Sequence, residues 1–582
     1  RAQRERGSVA CLVADVDRLQ ALNDELGYAA GDRALQELAA RIESQVRSSD
    51  AAARIGSDAF GVVLPATEAP LALPLAERIL AAVRAGPVDT GGGTGRDLRV
   101  SIGISGCRPQ AGQDRKMLAD QLIADAVAAL HRASHDVRVL LPAYPAMLKA
   151  FPQAVVLAEL PALAPSLPAS RLLGAEADGL PLILLDCPAL FDRPGSPYLD
   201  AHGDDWVDNG IRFGLLSRVA ALLGQAPSPL GWQPDVVHVN DWQTALAPAW
   251  LHYEGGAASV VTVHNIAFQG NFAAGHLSAL GLPEQAWHMH GVEYHGQLSF
   301  LKAGLQLATL ISTVSPTYAR EIQHEQFGYG LAPLLRHRAG SLRGILNGVD
   351  AAVWNPASDP VLAAPYAANR LAAKRDNKRA LQQEMGLDVV ADRPLFGVIS
   401  RLTHQKGLDL VLTLGEGITH LPAQLVVLGS GDKKMEAGFS ELAHRFPGQI
   451  AVKLGFDEAL AHRIEAGADS FLMPSRFEPC GLNQMYSLRY GTPPIVRATG
   501  GLADTVVDVA EDTLADKTAN GFVIHDATPH TLWLALERAT RCWHDRKLWQ
   551  RIQQNGMRRD SSWEHAAHEY VNLYRDAIAA RA

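Results

Sequence analysis

The stretch PLFGVISRLTHQKG, residues 394–407, decides the fold of the longer part of this chain. An apolar run ends at Ile399, polar and basic residues follow at once, and an apolar helical stretch begins after Gly407. Continuous Val, Ile and Leu runs of this kind are typical of parallel strands that are buried on both faces and alternate with helices. Because similar runs recur from about residue 136 to about residue 500, the sequence predicts doubly wound α/β sheets.

These apolar runs are too numerous for one sheet. The polar stretch 365–394 separates an earlier group from a later one, so we expect two Rossmann-like lobes that face each other across a cleft. Residues 8–134 differ, because their strands, helices and Gly-centred hairpin indicate a compact α+β domain. The predicted divisions are an N-terminal domain at 1–134, a first lobe at 135–385, a second lobe at 386–556 and a C-terminal helix at 557–582 that crosses back to the first lobe.

The overall composition is that of a folded globular enzyme. The chain has 582 residues and a formal net charge of −9, with 53 basic and 62 acidic side chains, so it lacks the basic surplus that binds nucleic acid. No run of about 18 apolar residues predicts a membrane span, and the chain opens without methionine or a signal sequence. Its five cysteines are scattered without zinc-ligand spacing, which fits a reducing cytoplasm and predicts no structural metal.

Polar residues after the apolar runs predict a binding site, because open α/β sheets bind ligands beyond the carboxyl ends of their strands. In the second lobe Arg401 and Lys406 follow one strand, a Gly turn at 429–432 follows the next, and TGGLADT at 499–505 follows another. Two cations and helix N-termini suit a diphosphate whose negative charge grows as it leaves. Each feature alone is more often a salt bridge or an ordinary turn, and it is their recurrence at successive strand ends that favours a phosphate site.

The first lobe supplies polar residues in equivalent places. Asp241 follows the strand VHVN, and His264 and Asn265 follow the strand VVTV. A single histidine at a strand end is more often structural, and Asp241 can instead cap the next helix. Because both strands point to the same sheet edge, the arrangement favours a site.

These motifs, in this order, resemble the bacterial glycogen synthase and starch synthase family, which are retaining glycosyltransferases of the GT-B fold. The resemblance runs from HDVRVLLPAYP at residue 135 to the C-terminus and includes HNIAFQG, SRLTHQKGLDL, PSRFEPCGLNQ and TGGLADTV. It implies transfer of glucose from ADP-glucose to the non-reducing end of an α-1,4-glucan such as glycogen. The transfer would retain configuration and would need no metal or other cofactor.

The resemblance also implies roles for individual residues. Arg401 and Lys406 would hold the diphosphate, His264 and Glu478 would contact the transferred glucose, and Asp241 would lie in the same cleft. The other substrate-binding residues that the family's motifs imply are Asn265, Cys480, Gly481, Leu482, Asn483, Thr499, Gly500 and Gly501. Asn483 stands where the family often has threonine and Gln243 where histidine is common, and we expect both polar replacements to be tolerated.

The family begins with a strand that leads into a K-x-G-G-L loop, and this chain has no counterpart of either. The GGL at 500–502 belongs to the second lobe's own motif, and TGGGTGRD at 90–97 lacks the preceding strand, the lysine and the leucine. Loss of this strand would leave its neighbours in the first lobe with unpaired edges. We therefore expect a truncated first lobe in which either the preceding domain fills the gap or the lobe is poorly formed, and a transferase impaired by loss of the loop.

Residues 8–134 resemble the GGDEF family of diguanylate cyclases through ADVDRLQALND, RSSDAAARIGSDAF and VSIGIS. Ser57 and Ala59 in the signature GSDAF depart from the family and predict a degenerate domain without cyclase activity. Arg47 and Asp50 match the family's R-x-x-D site for cyclic di-GMP, although a surface ion pair is the simpler interpretation. The resemblance implies that the vestigial cyclase site comprises Asp15, Asn23, Asp32 and Asp58.

Two hypotheses follow for the whole chain. The first is a cytoplasmic glycogen synthase with a degenerate GGDEF domain ahead of it. The second is a catalytically inactive fusion that acts as a regulator by binding cyclic di-GMP, glucan or both. The segment LIADAVAALHRA, residues 122–133, fits both families at once and marks the junction.

Overall fold

The computed structural model divides the chain into two compact units, residues 1–113 and 114–582. Each unit has its own sheets and its own buried core. The described residues are 9–16, 28–46, 51–54, 59–65, 69–86, 88–89, 95–96, 100–107, 126–130, 135–177, 179–193, 196–199 and 204–581.

The first unit is the predicted α+β fold. Its elements are β1 (Val9–Val16), α1 (Tyr28–Glu43), β2 (Ala51–Arg54), β3 (Ala59–Pro65), α2 (Ala69–Arg84), β4 (Val88–Asp89), β5 (Gly95–Arg96) and β6 (Val100–Cys107). The main sheet has the order β2-β3-β1-β6, and its strand pairs are antiparallel. Leu38 and Ile79 on the two helices are buried, and Arg41 donates to the carbonyl oxygens of Val83 and Gly86 at 2.9 and 2.7 Å.

The predicted nucleotide-binding residues of this unit fall mostly outside the described residues. Asp15 lies in β1 opposite Ala59, and Asp32 lies in α1, but the side chains of both are outside the described part. The residues that lie wholly outside it are Asn23, Arg47, Asp50 and Asp58. Their roles stay predictions.

The second unit begins with a lobe of mixed sheets and short helices. Its strands are β7 (Val139–Pro142), β8 (Val155–Leu160), β9 (Ser170–Ala177), β10 (Leu180–Asp186), β11 (Val236–Asn240), β12 (Ala258–Val263), β13 (Asn271–Ala273), β14 (Glu293–Tyr294), β15 (Gln297–Ser299), β16 (Leu310–Thr313) and β17 (Leu342–Gly344). Its helices are α3 (Pro145–Ala150), α4 (Pro188–Phe191), α5 (Asn209–Leu223), α6 (Asp241–Thr244), α7 (Ala247–Tyr253), α8 (His276–Ala279), α9 (Phe300–Leu307), α10 (Pro316–Glu321) and α11 (Ala332–His337).

The larger strands of this first lobe form two separate four-stranded sheets. One has the order β7-β10-β9-β8 and the other β11-β12-β16-β17. Within the described part of the chain, β7 pairs only with β10 and β11 only with β12. Trp232 Nε1 donates to Asp136 at 2.9 Å, and the Arg138 guanidinium lies 4.0 Å from the Trp232 ring centroid, so the segments that lead into β7 and β11 are in contact. Among the described residues, β7 and β11 therefore each have one edge without a strand partner, as loss of the missing strand predicts.

The second lobe contains one parallel six-stranded sheet. Its strands are β18 (Leu395–Ile399), β19 (Gln424–Gly429), β20 (Ile450–Leu454), β21 (Ser470–Met473), β22 (Pro494–Arg497) and β23 (Phe522–Ile524). Its helices are α12 (Lys374–Met385), α13 (Leu408–His420), α14 (Lys433–Arg445), α15 (Glu458–Gly467), α16 (Asn483–Arg489), α17 (Gly500–Thr505), α18 (Glu511–Ala515), α19 (Pro529–His544) and α20 (Arg546–Arg558). The order β20-β19-β18-β21-β22-β23 is the doubly wound order 3-2-1-4-5-6 that the sequence predicts for a Rossmann-like lobe.

Packing crosses the boundaries expected from the sequence. The helical segment 126–130 buries Ala129 and Leu130 in one cluster with Val260 of β12 and with the C-terminal helix α21 (Trp563–Arg581). The compact division of the chain therefore precedes this segment, at 113/114 instead of 134/135. Similarly, Leu381 of α12 shares a buried cluster with α15 of the second lobe, although α12 precedes residue 386.

Helix α21 packs against the first lobe. Tyr574 on this helix shares a hydrogen bond of 2.8 Å with Nδ1 of His238 in β11, and Arg581 donates to the carbonyl oxygen of Leu251 at 3.0 Å. These contacts tie the C-terminal end of the chain to the sheet that has an open edge at β11. None of the described helices is long and apolar enough to cross a membrane.

The open edge of β11 predicts uneven hydrogen exchange within one sheet. The β12 strand is buried along its whole length and paired on both sides, whereas β11 has a described partner on one side only. Because exchange requires the amide to be released from its hydrogen bond, we expect the outward amides of β11 to exchange at least about tenfold faster than those of β12. Hydrogen exchange read by mass spectrometry measures this, with doubly paired β19 as the matched control. Equal protection of β11 and β12 would contradict the split sheet.

Candidate active site

The candidate site lies at the topological switch point of the second lobe. Strands β18 and β21 are neighbours in the sheet, but their following helices leave in opposite directions along the strand order. The residues after the carboxyl ends of such a strand pair border a crevice where ligands bind. Arg401 and Lys406 follow β18, and Glu478 follows β21, so the sequence-predicted residues converge there.

Lys406 and Glu478 form an ion pair in this crevice. Lys406 Nζ contacts Glu478 Oε2, and the two side chains are only 16% and 9% exposed. Ser475 Oγ donates to the same carboxylate oxygen at 3.1 Å. A buried charge needs a partner because its desolvation costs several kcal/mol, so each of these two groups holds the other in place. Sequence analysis identified both residues but not their contact.

The loops that carry Lys406 and Glu478 are joined by further hydrogen bonds. Arg476 makes a bidentate pair with Asp409, with distances of 2.6 and 2.8 Å, and also donates to the carbonyl oxygen of His404 at 2.7 Å. Gln405 Nε2 donates to the carbonyl oxygen of Phe477 at 3.2 Å, and the Arg476 N–H donates to the carbonyl oxygen of Gln405 at 2.8 Å. The Arg476 guanidinium holds the pKa of Asp409 below its usual range, against the opposing effect of burial. These bonds fix the position of the ion pair.

Two glycines allow the close backbone approach at this site. Gly407 has φ +69°, and a Cβ there would lie 2.1 Å from the carbonyl oxygen of Pro474. Gly500 has φ +44°, and a Cβ there would lie 1.9 Å from the carbonyl oxygen of Glu478. Both positions combine a left-handed backbone with contact distances that exclude a side chain.

Arg401 differs from Lys406 in being exposed and unpaired. It lies just beyond β18 with an exposed side chain, and no carboxylate among the described residues forms an ion pair with it. An exposed, permanently charged guanidinium beside a buried ion pair is available to an anionic ligand. Arg401 is therefore a cation without a carboxylate partner within the described part of the chain.

The residues directly after Glu478 are tightly packed, and their one thiol is not reactive. Cys480 is buried, and burial raises the pKa of its thiol to about 12, so it stays protonated and is a poor nucleophile. Asn483 Nδ2 donates to the carbonyl oxygen of Ile399 at 2.6 Å, and Gln484 Nε2 donates to the carbonyl oxygens of Cys480 and Gly481, both at 3.1 Å. Leu482 is buried at the start of α16.

The TGG turn at 499–501 is engaged within the protein. Thr499 Oγ1 and the Gly500 N–H donate to the Glu321 carboxylate at 2.9 and 3.1 Å, and the Gly501 N–H donates to the carbonyl oxygen of Pro479 at 3.0 Å. Burial raises the pKa of Glu321, and the hydrogen bonds from this turn oppose that effect. In this conformation two donors of the turn predicted to bind phosphate, Thr499 Oγ1 and the Gly500 N–H, are thus occupied by the Glu321 carboxylate of the first lobe, a residue that the sequence did not predict.

A second carboxylate contact joins the lobes beside this turn. Asp504 in α17 accepts hydrogen bonds from Ser315 Oγ at 2.5 Å, from the Thr317 N–H at 2.9 Å and from Thr317 Oγ1 at 2.6 Å. Both Asp504 and Glu321 therefore connect α10 of the first lobe to α17 of the second.

The first-lobe residues also cluster as predicted from their strand ends. Asp241 has φ +51°, and its carboxylate accepts the N–H groups of His264 at 2.7 Å and Asn265 at 3.3 Å. Burial raises the pKa of Asp241, and His264 together with these hydrogen bonds opposes the rise. His264 Nε2 lies 3.0 Å from Asn240 Oδ1. A left-handed backbone and a half-buried carboxylate with a raised pKa at one sheet edge are features of functional sites.

Tyr318 connects the two halves of the site. Its hydroxyl accepts the Ile266 N–H at 3.2 Å, and its buried ring packs edge-to-face on Phe477 with centroids 5.5 Å apart. Phe477 precedes Glu478, so one aromatic contact links the loop of His264 to the loop of Glu478. Tyr318 and Phe477 were not predicted from the sequence, although an aromatic residue directly before Glu478 was the available signal. No group of three or more His, Cys, Asp or Glu side chains in the described residues is arranged to hold a metal ion.

Family models match three segments of the chain. Residues 118–337 match the starch synthase catalytic domain, residues 385–559 match the glycosyl transferases group 1, and residues 1–138 match the diguanylate cyclase GGDEF domain. The first and the last of these matches overlap at 118–138, which includes the junction segment that fits both families.

Whole-chain comparison finds relatives over most of the second unit. A glycogen synthase of Dechloromonas aromatica (strain RCB) is 78% identical over 455 residues, covering 78% of this chain and 94% of the relative. A glycogen synthase of Nitrosomonas eutropha is 52% identical over 453 residues, covering 77% of this chain and 90% of the relative. The catalytic domain of starch synthase IV from Arabidopsis thaliana, solved with ADP and acarbose bound, aligns with TM-score 0.69 and 33% identity, covering 81% of this chain and 97% of that domain.

The close approach of the Gly407 backbone to Pro474 predicts that adding one methyl group at position 407 lowers the stability of the protein. Gly386 has a similar φ of +70°, but a Cβ there would have nothing within 4 Å, whereas a Cβ at Gly407 would meet Pro474. Alanine at Gly386 should therefore cost only the left-handed strain of about 1–2 kcal/mol, and alanine at Gly407 should cost more because the Lys406 and Glu478 loops must separate.

Thermal unfolding of the full chain compares the two variants. We expect Gly407→Ala to lower the midpoint by several degrees more than Gly386→Ala does. Equal midpoints would show that the loops around Lys406 and Glu478 are not tightly joined.

Proposed function

The chain belongs to the glycogen synthase family, and we propose that it transfers glucose from ADP-glucose to the non-reducing end of an α-1,4-glucan with retention of configuration. The observation that carries this proposal is the charge arrangement at the switch point of the second lobe. There the exposed Arg401 and the buried Lys406–Glu478 pair follow the carboxyl ends of the neighbouring strands β18 and β21. This arrangement suits a ligand with an anionic diphosphate and a neutral sugar.

Arg401 and Lys406 would act on the diphosphate. In the reaction the bond between the anomeric carbon and the diphosphate oxygen breaks, and the anomeric carbon bonds to a hydroxyl oxygen of the acceptor. The hydroxyl proton is released, and ADP leaves with the electron pair of the broken bond. Positive charge fixed near the departing oxygen lowers the barrier because it is already in place when negative charge develops.

Glu478 would hold the transferred glucose. Its carboxylate is fixed by Lys406 and Ser475, so its remaining acceptor capacity can orient sugar hydroxyls. His264 and Asp241 would face the same sugar from the first lobe, where the Asp241 carboxylate fixes the backbone of His264. The roles of Asn265, Cys480, Gly481, Leu482 and Asn483 as substrate-binding residues stay predictions.

The open edges of β7 and β11 bear on the level of activity. Since this chain lacks the K-x-G-G-L loop of its family, the donor and acceptor would lose contacts from the first lobe, and turnover would be lower. The alternative is an inactive regulator that binds its ligands without transfer. The relatives' shared identity as glycogen synthases favours the transferase.

We expect the protein to work in the cytoplasm, as the cysteine pattern predicts.

ADP release from ADP-glucose in the presence of glycogen tests the proposed transfer. We expect the purified chain to release ADP, and Lys406→Ala and Glu478→Ala to lower turnover by about 10²-fold or more, because each removes a fixed charge from the site. Arg379→Ala is the matched control, since Arg379 is exposed and pairs only with Asp376 on its own helix. A folded chain that binds ADP-glucose but releases no ADP would support the inactive regulator instead.

The match of residues 1–138 to the GGDEF domain generates a separate prediction about cyclic di-GMP. If Arg47 and Asp50 form a retained product site, calorimetry should detect binding of cyclic di-GMP to the full chain, and Arg47→Ala should abolish it. Arg379→Ala should leave the binding unchanged. Absence of binding to the unaltered chain would remove cyclic di-GMP from its partners.

A further inference from the structure

Two aromatic rings of the first lobe are exposed beside the candidate site. Phe268 is 63% exposed and Tyr329 is 50% exposed. Phe268 lies in the loop that carries His264, and Tyr329 lies in the loop between α10 and α11. The two loops are joined because Gln269 Nε2 donates to the carbonyl oxygen of Tyr329 at 2.8 Å. We refer to Phe268 and Tyr329 as the aromatic platform.

The position of Tyr329 is maintained against backbone strain. Its φ is +47°, a conformation that a bulky side chain adopts only at a cost of about 1–2 kcal/mol. The next residue, Gly330, has φ +84°, so glycine is already used in this turn. A tyrosine in this strained conformation, with half of its surface exposed to solvent, indicates a functional role for the ring.

The ring of Tyr329 lies next to the loop of Glu478. The Tyr329 ring packs on the Phe477 ring with a centroid distance of 6.3 Å and an interplanar angle of 60°. The Phe327 ring also stacks on the Phe477 ring, with a centroid distance of 6.2 Å. Phe477 is 8% exposed and is followed directly by Glu478. Tyr329 therefore touches the second lobe at Phe477, one residue before Glu478, while half of its surface is exposed to solvent.

An exposed aromatic ring at this place suits the acceptor rather than the donor. The donor's diphosphate requires cations, and these lie at Arg401 and Lys406 in the second lobe. A glucose unit of a glucan is neutral, and the C–H groups on one face of its ring pack well against an aromatic face. Gln269 beside the platform provides polar atoms for the hydroxyl groups at the rim.

We propose that Tyr329 is the residue on which the acceptor end of the α-glucan stacks, with Phe268 extending the same surface along the chain. This assignment rests on the proposed function and names where its acceptor binds. Tyr329 acts as a positioning residue for the glucan hydroxyl that attacks the sugar held by Glu478. It has no part in binding ADP-glucose.

Three variants of the full chain separate the ring from the backbone. Tyr329→Gly removes the ring and relieves the left-handed strain, which offsets the loss of the ring's packing on Phe477, so we expect the variant to fold. Tyr329→Phe keeps the ring and loses only the hydroxyl. Phe268→Ala tests the extension of the platform. Each variant is measured with maltoheptaose as acceptor, by steady-state kinetics and by calorimetric binding without ADP-glucose.

We expect loss of the ring to change the KM and Kd for the acceptor and to leave the KM for the donor nearly unchanged. Tyr329→Gly should raise both the KM and the Kd for maltoheptaose by about tenfold, the size expected for loss of one stacked ring. Its KM for ADP-glucose should change by less than about twofold, and Tyr329→Phe should match the unaltered chain. If Tyr329→Gly is active and its KM and Kd for maltoheptaose equal those of the unaltered chain, the assignment is overturned. It is also overturned if the KM for ADP-glucose rises as much as the KM for maltoheptaose.

The binding measurement distinguishes failure of the assignment from failure of the proposed function. If the unaltered chain releases no ADP yet binds maltoheptaose in a manner that requires the ring at position 329, the transferase proposal fails and the platform stands. If an active chain binds maltoheptaose equally well without the ring, the platform alone fails. A chain that neither transfers glucose nor binds maltoheptaose would overturn both.

Discussion

The contact between Lys406 and Glu478 is the interaction on which the rest of the site depends. Two opposite charges with little exposure are stable only while they remain together, because either one alone would be a buried, unpaired charge. Their loops belong to neighbouring strands at the switch point, and Arg476 and Gln405 join those loops along their length. The glycines at 407 and 500 are consequences of this constraint, since only a residue without a side chain permits the backbones to approach so closely.

The same loops also connect the two lobes. Phe477, directly before Glu478, packs against Tyr318, Phe327 and Tyr329 of the first lobe. On the other side of the Glu478 loop, α17 receives the Glu321 carboxylate at its first residues and presents Asp504 to α10. A displacement of the Glu478 loop would therefore be transmitted to the first lobe by packing and by hydrogen bonds at once.

The first lobe lacks strand pairing where its first strand is missing. In the second lobe six strands pair continuously, whereas the first lobe's larger strands separate into two sheets, in which β7 and β11 each have one strand partner among the described residues. The helical segment 126–130 and helix α21 cover part of the second of these sheets, and the His238–Tyr574 hydrogen bond anchors α21 there. Burial by helices protects the face of a sheet, but it cannot replace the backbone hydrogen bonds of a missing neighbour.

The two lobes, the parallel strands and the polar residues at the strand ends could all be predicted from the sequence. Those features depend on local patterns, since an apolar run buried on both faces and a polar residue at its end are adjacent in the chain. The unpaired edges at β7 and β11 were also predictable, because a missing strand is visible as a missing segment. Three features came from the folded arrangement alone. Among the described residues Lys406 is paired with a carboxylate and Arg401 is not, Glu321 accepts hydrogen bonds from Thr499 and Gly500, and Tyr318 and Phe477 connect the halves of the site. These contacts join residues far apart in the chain, and their formation depends on distance and burial in the folded protein, which no local periodicity encodes.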